Sequence, residues 1–521
     1  MKVVSTAQMR ELDRRTIEEF ETPGEVLMDR AGLGVCDAVQ RLIDATGFLR
    51  PAIRFIAGRG NNGGDAFAAA RHLKEAGHLV EVWLAAAANA VKGDALKHLS
   101  QMKRAGVELR ELPLKEDWED AQRFAPHCDV MVDGVLGTGS SGPARGPAVG
   151  AIQFINARSS EALVVSIDLP SGLNADTGEA EGEVVRADIT VTLGLPKTGL
   201  IRSAALEYVG TLEVADIGIP EELVAHAETD EHELIHISDL RDRFPRRARN
   251  SHKGDYGRVL VIGGARGYAG AVAMAAQAAV NSGAGLVTVW TPKSVAPIVA
   301  GASLESMVVA CEETEQGSLA AAAWTGADAV RDFSAILVGP GLTRGDSSLR
   351  LVQAVLRDCR VPLVVDADAI SVLAGCARDL SKAKCPVVIT PHPGEFGALF
   401  ARRVEEVQKD RCGAARAAAE ETRCTVVLKG AGTVVAQQGK PAAINLTGNP
   451  GMATGGSGDV LGGLLVSLLA QGIEPYDAAR AAVYLHGRAG DLVAWRRSQM
   501  GLTAGDLIRE LPFVLRDVAL R

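Results

Sequence analysis

The 521-residue sequence lacks most of what would tie it to a polyanion, a membrane or an oxidising compartment. Net charge is −9 and the pI about 5.7, so no overall basic field exists for nucleic acid, and any bound phosphate must be met by a local site. The amino-terminal MKVVSTAQMRELDRR has no apolar core of a signal peptide, and no uninterrupted apolar run reaches spanning length. A cytoplasmic protein with no membrane partner is therefore expected. The eight cysteines are scattered, with neither CxxC nor Cys/His ligand spacing, which argues against a disulfide framework or a zinc site and for reduced, mostly buried thiols. The glycine loops match neither GxGxxG nor the Walker pattern GxxxxGK[ST], and there is no short-period repeat.

What is present is material for cores: 47% hydrophobic and 23% charged residues, enough for two large α/β domains. AIRFIAG (52–58), LVEVWL (79–84), CDVMVDG (128–134), LVVSID (163–168) and DITVTL (188–193) read as strands. Most carry apolar residues on both faces, which suits a parallel sheet covered by helices on both sides. Around 220 to 257 the chain becomes charged and loses apolar periodicity, placing a domain boundary near 235. Strand signals resume with RVLVIGG (258–264), GLVTVW (285–290), AILVG (335–339), PLVVD (362–366), PVVIT (386–390) and TVVLKG (425–430). Helical stretches separate them in both halves, as βαβ construction requires.

In the first half, GRGNNGGDAF (58–67) follows a strand and opens a helix, where backbone amides favour an anion. By itself this is as well read as a tight turn with Asp65 as N-cap. VDGVLGTGSSGP (132–143) then places Asp133 and a second glycine loop at a strand end, and SIDLPSGLNADTG (166–178) places Asp168 and Ser171 after another. Three polar loops at three strand ends point to a site. The oxygen groups of Asn62, Asp133 and Ser171 suit a hard cation better than zinc.

The ordered set N-N-G-G-D, D-G-x-x-G-T-G, D-x-P-S-G and G-L-P-K-T-G (194–199) closely resembles the NAD(P)H-hydrate epimerase domain. That resemblance implies a Rossmann-like three-layer fold over 1–235 and interconversion of the two C6 epimers of hydrated NADH and NADPH. It implies that Asn61, Asn62, Gly63, Gly64 and Asp65, with Gly137, Thr138, Gly139, Ser140, Ser141, Gly142 and Pro143, hold the hydrated dinucleotide. Asn62, Asp133 and Ser171 would bind potassium, and Asp168 would contact substrate and serve as acid/base. Lys197 is an electrostatic helper on this reading and a solvated loop lysine on the plainer one. Ala66 departs from the glycine more often found there.

The second half repeats the pattern with SHKGDYGRVLVIGGARGYAGA (251–271), GPGLTRG (339–345), VVDADAI (364–370), TPHPGEF (390–396), VLKGAGT (427–433) and TGNPGMATGGSGD (447–459). In GGSGD, glycine amides at a helix start would enclose a phosphate beside Asp459, which either caps the helix or deprotonates a hydroxyl attacking that phosphate. This series resembles the ADP-dependent NAD(P)H-hydrate dehydratase within the ribokinase-like superfamily, over 236–521. The resemblance implies that Lys429, Gly430, Ala431, Gly432, Thr433 and Gly458 contact ADP, and that Ala271, Gly341, His392 and Asp459 contact the hydrated dinucleotide. Magnesium is expected on the nucleotide. Dehydration of the S epimer would yield NAD(P)H, AMP and phosphate. A small-molecule kinase fused to a nucleotide-sensing domain, and a first domain that only binds, remain as alternatives, and a homo-oligomer is compatible with everything above.

Overall fold

The computed structural model describes residues 1–139, 142–227 and 232–519. It divides into two compact units, Lys2–Leu234 and Ile235–Arg521. In the first, β1 (Ala52–Ala57), β2 (Leu79–Leu84), β3 (Glu108–Glu111), β4 (Val130–Gly134), β5 (Leu163–Ile167), β6 (Ile189–Leu193) and β7 (Thr211–Ala215) form one sheet in the order β3-β2-β1-β4-β5-β6-β7. Every pairing in it is parallel. The pleat explains why the strands are apolar throughout: Ile56, Trp83, Met131 and Val164 pack with Trp118 and Phe154 of the helices Lys115–Phe124 and Pro147–Arg158. The alternate residues Phe55, Val82, Val132 and Val165 are equally buried and point to the opposite face.

A short strand, β8 (His232–Leu234), precedes the second unit. There, β9 (Arg258–Ile262), β10 (Leu286–Pro292), β11 (Met307–Cys311), β12 (Ala335–Val338), β13 (Leu363–Val365), β14 (Val387–Ile389), β15 (Thr425–Leu428), β16 (Thr433–Ala436) and β17 (Ala442–Asn445) run in the order β11-β10-β9-β12-β13-β14-β15-β16-β17. Pairing is parallel from β11 to β15. It turns antiparallel for β16 and β17, which hairpins rather than crossovers connect. Val259, Val261 and Leu337 pack under the helices Ala269–Asn281, Ser457–Ala470 and Pro475–Arg496, whereas Leu260, Ile262 and Val338 pack under Asp346–Asp358 and Arg411–Thr422. Both units are thus doubly wound α/β sheets.

The strands read from sequence appear within two residues of their expected bounds, while β3, β7, β8, β11, β16 and β17 add to them. β3 and β11 lie at sheet edges and are largely exposed, so they lack the apolar runs that mark their neighbours. No helix among the described residues is long and apolar enough to cross a membrane.

The strand order of each sheet reverses at one point, between β1 and β4 in the first and between β9 and β12 in the second. The loops leaving those strands diverge there and open a crevice beyond the carboxyl ends.

Candidate active sites

At the first reversal lies a cavity of about 930 Å³. Its lining includes Asn61, Asn62 and Asp65 after β1, Gly137, Thr138 and Gly139 after β4, and Asp168 and Lys197. The helix Asn61–Glu75 starts at the first asparagine, with Gly60 at its N-cap, so Asp65 lies inside the helix and is not a cap. Gly63 is required sterically: a Cβ there would stand 1.8 Å from the Gly58 carbonyl oxygen. Gly64 is buried in the same turn, and Gly142 and Pro143 follow on from the second loop, while Ser140 and Ser141 lie outside the described residues. Ala66 is buried within the helix.

Asp133 is completely buried and is the hub of the loops. One carboxylate oxygen accepts from Ser166 Oγ (2.8 Å) and Ser171 N (2.9 Å), the other from Ser171 Oγ (2.5 Å) and Val135 N (3.2 Å). Burial raises its pKa, and these donations oppose the rise. Asn62 donates to the Leu136 carbonyl at 2.9 Å, and its own Oδ1 is buried with no hydrogen-bond partner among the described residues.

Asp168 follows β5 with φ 67°, a left-handed conformation that costs a non-glycine residue energy. It is held by Lys197, whose Nζ donates to Asp168 Oδ1 at 2.5 Å and to the Leu193 carbonyl at 2.8 Å. Lys197 is only 1% exposed, so it is no solvated loop lysine. Three more carboxylates line the same cavity, Asp65, Asp13 and Asp94, the last paired with Lys97. Burial lifts Asp65 well above the usual carboxylate range, with the charges of Asp168 and Asp13 adding to it. Burial likewise pushes Asp13 up to about 6, against the pull of Lys197. Asp13 lies in the amino-terminal helix Thr6–Glu18, within the charged run MRELDRR, where nothing in the sequence distinguishes it.

In the second unit the reversal brings Ala271 and Gly341 together. A Cβ on Gly341 would lie 3.2 Å from that of Ala271, and its φ of 62° favours glycine. Ala271 is the third residue of its helix, Ala269–Asn281. Further along the sheet, Lys429 after β15 donates to Asp366 Oδ1 (3.1 Å) and stands 3.8 Å from Glu395. Burial would lower the pKa of Lys429, but Asp366 and Glu395 outweigh it and the net shift is upward. Asp366, at the end of β13, is 1% exposed, and its Oδ2 is buried without a partner.

Asp459 is the third residue of the helix Ser457–Ala470, whose N-cap is Gly456. Burial pushes it up to about 7; Asp366 adds to the rise and Lys429 opposes it. Gly458 faces Lys429 Nζ, with 3.5 Å between that atom and a notional Cβ. The turn Lys429 to Thr433 is tied by Thr433 Oγ1 donating to the Gly430 carbonyl at 2.8 Å. The buried Arg411 grips the same turn, donating to the carbonyls of Leu428 (2.9 Å), Lys429 (3.1 Å) and Gly432 (3.4 Å). His392 is the N-cap of the helix Pro393–Phe400: its Nδ1 accepts from the amides of Gly394 (3.0 Å) and Glu395 (3.2 Å). Its side chain stays half exposed, and burial together with the Lys429 charge lowers its pKa.

Sequence reading missed Asp13, Asp366, Glu395 and Arg411. Asp366 lies in the quoted VVDADAI and Glu395 in TPHPGEF, so the motifs carried the signal; Asp13 and Arg411 have no such context.

Fold and geometry define an α/β protein of two doubly wound units, each with glycine-rich loops and buried acidic groups beyond the carboxyl ends of its strands. Residues 24–199 match the family described as YjeF-related protein N-terminus, and residues 259–513 match NAD(P)H-hydrate dehydratase. The chain is 41% identical to the bifunctional NAD(P)H-hydrate repair enzyme Nnr of Moorella thermoacetica, over 99% of this chain and 97% of that one. It is 38% identical to the protein of the same name from Thermofilum pendens, over 99% and 96%. The crystal structure of the ADP/ATP-dependent NAD(P)H-hydrate dehydratase from Bacillus subtilis, co-crystallized with ATP/Mg2+, covers 55% of this chain and 98% of its own, at 32% identity and a TM-score of 0.49. The chain belongs to the family of bifunctional NAD(P)H-hydrate repair enzymes.

Proposed function

We propose that this protein repairs hydrated NADH and NADPH, with residues 1–235 interconverting the R and S epimers and residues 236–521 dehydrating the S form at the expense of ADP. The observation that carries the reading is Asp459: a half-buried carboxylate in the first turn of a glycine-led helix, beside Lys429 and the Lys429 to Thr433 turn. Asp459 takes the proton of the C6 hydroxyl as that oxygen attacks the terminal phosphoryl of ADP, and AMP departs. The phosphate ester leaves as the ring nitrogen pushes its lone pair toward C6, and loss of a proton from C5 restores NAD(P)H. Amides of the GGSG turn stabilise charge on the transferred group, an effect worth about 3 kcal/mol per donor.

In this reading Lys429, Gly430, Ala431, Gly432, Thr433 and Gly458 bind ADP, and Ala271, Gly341, His392 and Asp459 bind the hydrated dinucleotide. A magnesium ion fits Asp366 and Glu395, because Asp366 Oδ2 is buried with no partner; it would neutralise phosphate charge during transfer. Asn61 to Asp65 and Gly137 to Pro143 hold the substrate of the epimerase, and Asp168 acts as its acid/base. A potassium ion fits Asn62, Asp133 and Ser171: every donor to buried Asp133 among the described residues is neutral, and Asn62 Oδ1 is an orphaned acceptor. Its charge would hold these loops together. The absence of a membrane-spanning helix among the described residues is consistent with a cytoplasmic setting for such a repair.

The test is to incubate the protein with both hydrate epimers and ADP and follow the absorbance of reduced nicotinamide. Full recovery is expected. No recovery with ADP or ATP overturns the dehydratase reading, and a stable phosphorylated product would make it a kinase.

A further inference from the structure

We propose that Asp13 is a second catalytic residue of the first cavity, handing a proton to the departing C6 hydroxyl while Asp168 takes one from the entering water. This rests on the epimerase reading above. Asp13 is on the inner face of the helix Thr6–Glu18, one turn after Met9, and both line the cavity with Asp65, Asp168 and Lys197. The cations of its own helix are occupied elsewhere. Arg14 pairs with Glu11 and Glu18, Arg15 with Glu19, and Arg10 donates to the Thr138 carbonyl at 2.6 Å. Asp13 Oδ1 is buried and has no hydrogen-bond partner among the described residues. A carboxyl in that position is not a surface ion pair; it is aimed at something the pocket receives.

Inversion at C6 requires two proton carriers on opposite sides of the ring. Protonation of the hydroxyl lets the C6–O bond break as the ring nitrogen forms a double bond to C6, and water leaves. A second water then bonds to C6 from the other face and yields its proton to a base. One proton is donated, one is accepted, and no oxidant or reductant is involved. Asp168 has a lysine of its own at 2.5 Å and suits the accepting role. Asp13 has no ion pair among the described residues, and burial, against the pull of Lys197, brings it to about 6, close enough to neutrality to give up and regain a proton in each cycle. Of the other carboxyls lining the cavity, Asp94 pairs with Lys97 and Asp65 is buried within its helix, whereas half-buried Asp13 can exchange its proton with solvent between turnovers.

The experiment uses the full chain and compares Asp13→Asn, Asp13→Glu and Asp168→Ala in two assays: interconversion of the R and S hydrates, and ADP-dependent dehydration of pure S hydrate. Asp13→Asn is expected to lower kcat for epimerisation about a hundredfold with KM little changed, Asp13→Glu to recover part of it, and dehydration to be untouched. The native enzyme in 18O-water should place one solvent oxygen at C6 per inversion. Unchanged kcat in Asp13→Asn, a change confined to KM, or inversion without 18O uptake each overturns the proposal. If Asp13→Asn loses the unfolding transition of the first unit, kcat of Asp13→Glu and the isotope measurement decide. Absence of interconversion by the native protein would instead overturn the functional reading itself, and epimerisation that survives Asp168→Ala would overturn the role given to Asp168.

Discussion

The two units build their crevices at the same point of similar sheets, yet treat their acidic groups differently. In the first, Asp168 has a buried lysine to itself and sits in a left-handed backbone conformation that aims its side chain. In the second, Lys429 is divided between Asp366 and Glu395, and Asp459 rides on an ordinary helical turn, pushed up to about 7 by burial. A group that must only take up and return a proton can be held rigidly by one counter-ion. A group that works beside phosphates gains from surroundings whose balance of charge shifts when the nucleotide enters.

That contrast can be broken most sharply by exchanging which half is disabled. Asp459→Ala should reduce nucleotide-dependent recovery of NAD(P)H by about a thousandfold and leave epimerisation intact, while Asp168→Ala should do the reverse and strand one epimer. Chromatographic resolution of the two hydrates measures both; equal effects of either variant on both reactions would remove the division of labour.

The two lysines come next. Lys197→Met leaves Asp168 buried without its partner and should cost the first unit about 3 kcal/mol of stability, read as a lower midpoint of its unfolding transition. Lys429→Met should act mainly on ADP affinity, seen by calorimetry.

The glycines separate steric from ligand demands. Gly63→Ala meets the Gly58 backbone at 1.8 Å and should destabilise the first unit by about 2 kcal/mol. Gly458→Ala has 3.5 Å to the flexible end of Lys429 and should leave thermal stability unchanged while weakening ADP binding.

The smallest effect concerns His486, buried 3.4 Å from Ser457 at the start of the Asp459 helix. Burial depresses it from 6.5 to about 4. Between those values the unfolded chain binds a proton that the folded chain does not, so stability falls as pH falls. Relative to His486→Gln, the second unit should lose about 1 kcal/mol between pH 6.5 and 5.5, measured from paired denaturant titrations. Comparison with the variant cancels Asp459, whose raised pKa works in the opposite direction.

Much of this was readable along the chain because a parallel sheet buried on both faces needs continuous apolar strands, and its ligand loops fall directly after them. Asn62, Asp168 and Asp459 each stand in such a loop or at the helix start that follows it, and Asp133 stands at the carboxyl end of its strand. The edge strands β3 and β11 carry no such mark, since one side of each meets solvent. Asp13 and Arg411 lie in amphipathic helices among other charged residues, where the 3.6-residue period says that they face inward or outward but not what they meet.

The sequence by itself therefore determined the two α/β units, the order of their glycine loops and the pairing of two chemistries, because these depend on local backbone demands and strand–loop periodicity. Only the tertiary structure decided that Lys197 is buried against Asp168, that Asp13 and Asp65 join them, and that Asp366 reaches Lys429 from 63 positions away. Those are meetings of residues distant in sequence, and their electrostatics arise from the burial that folding imposes.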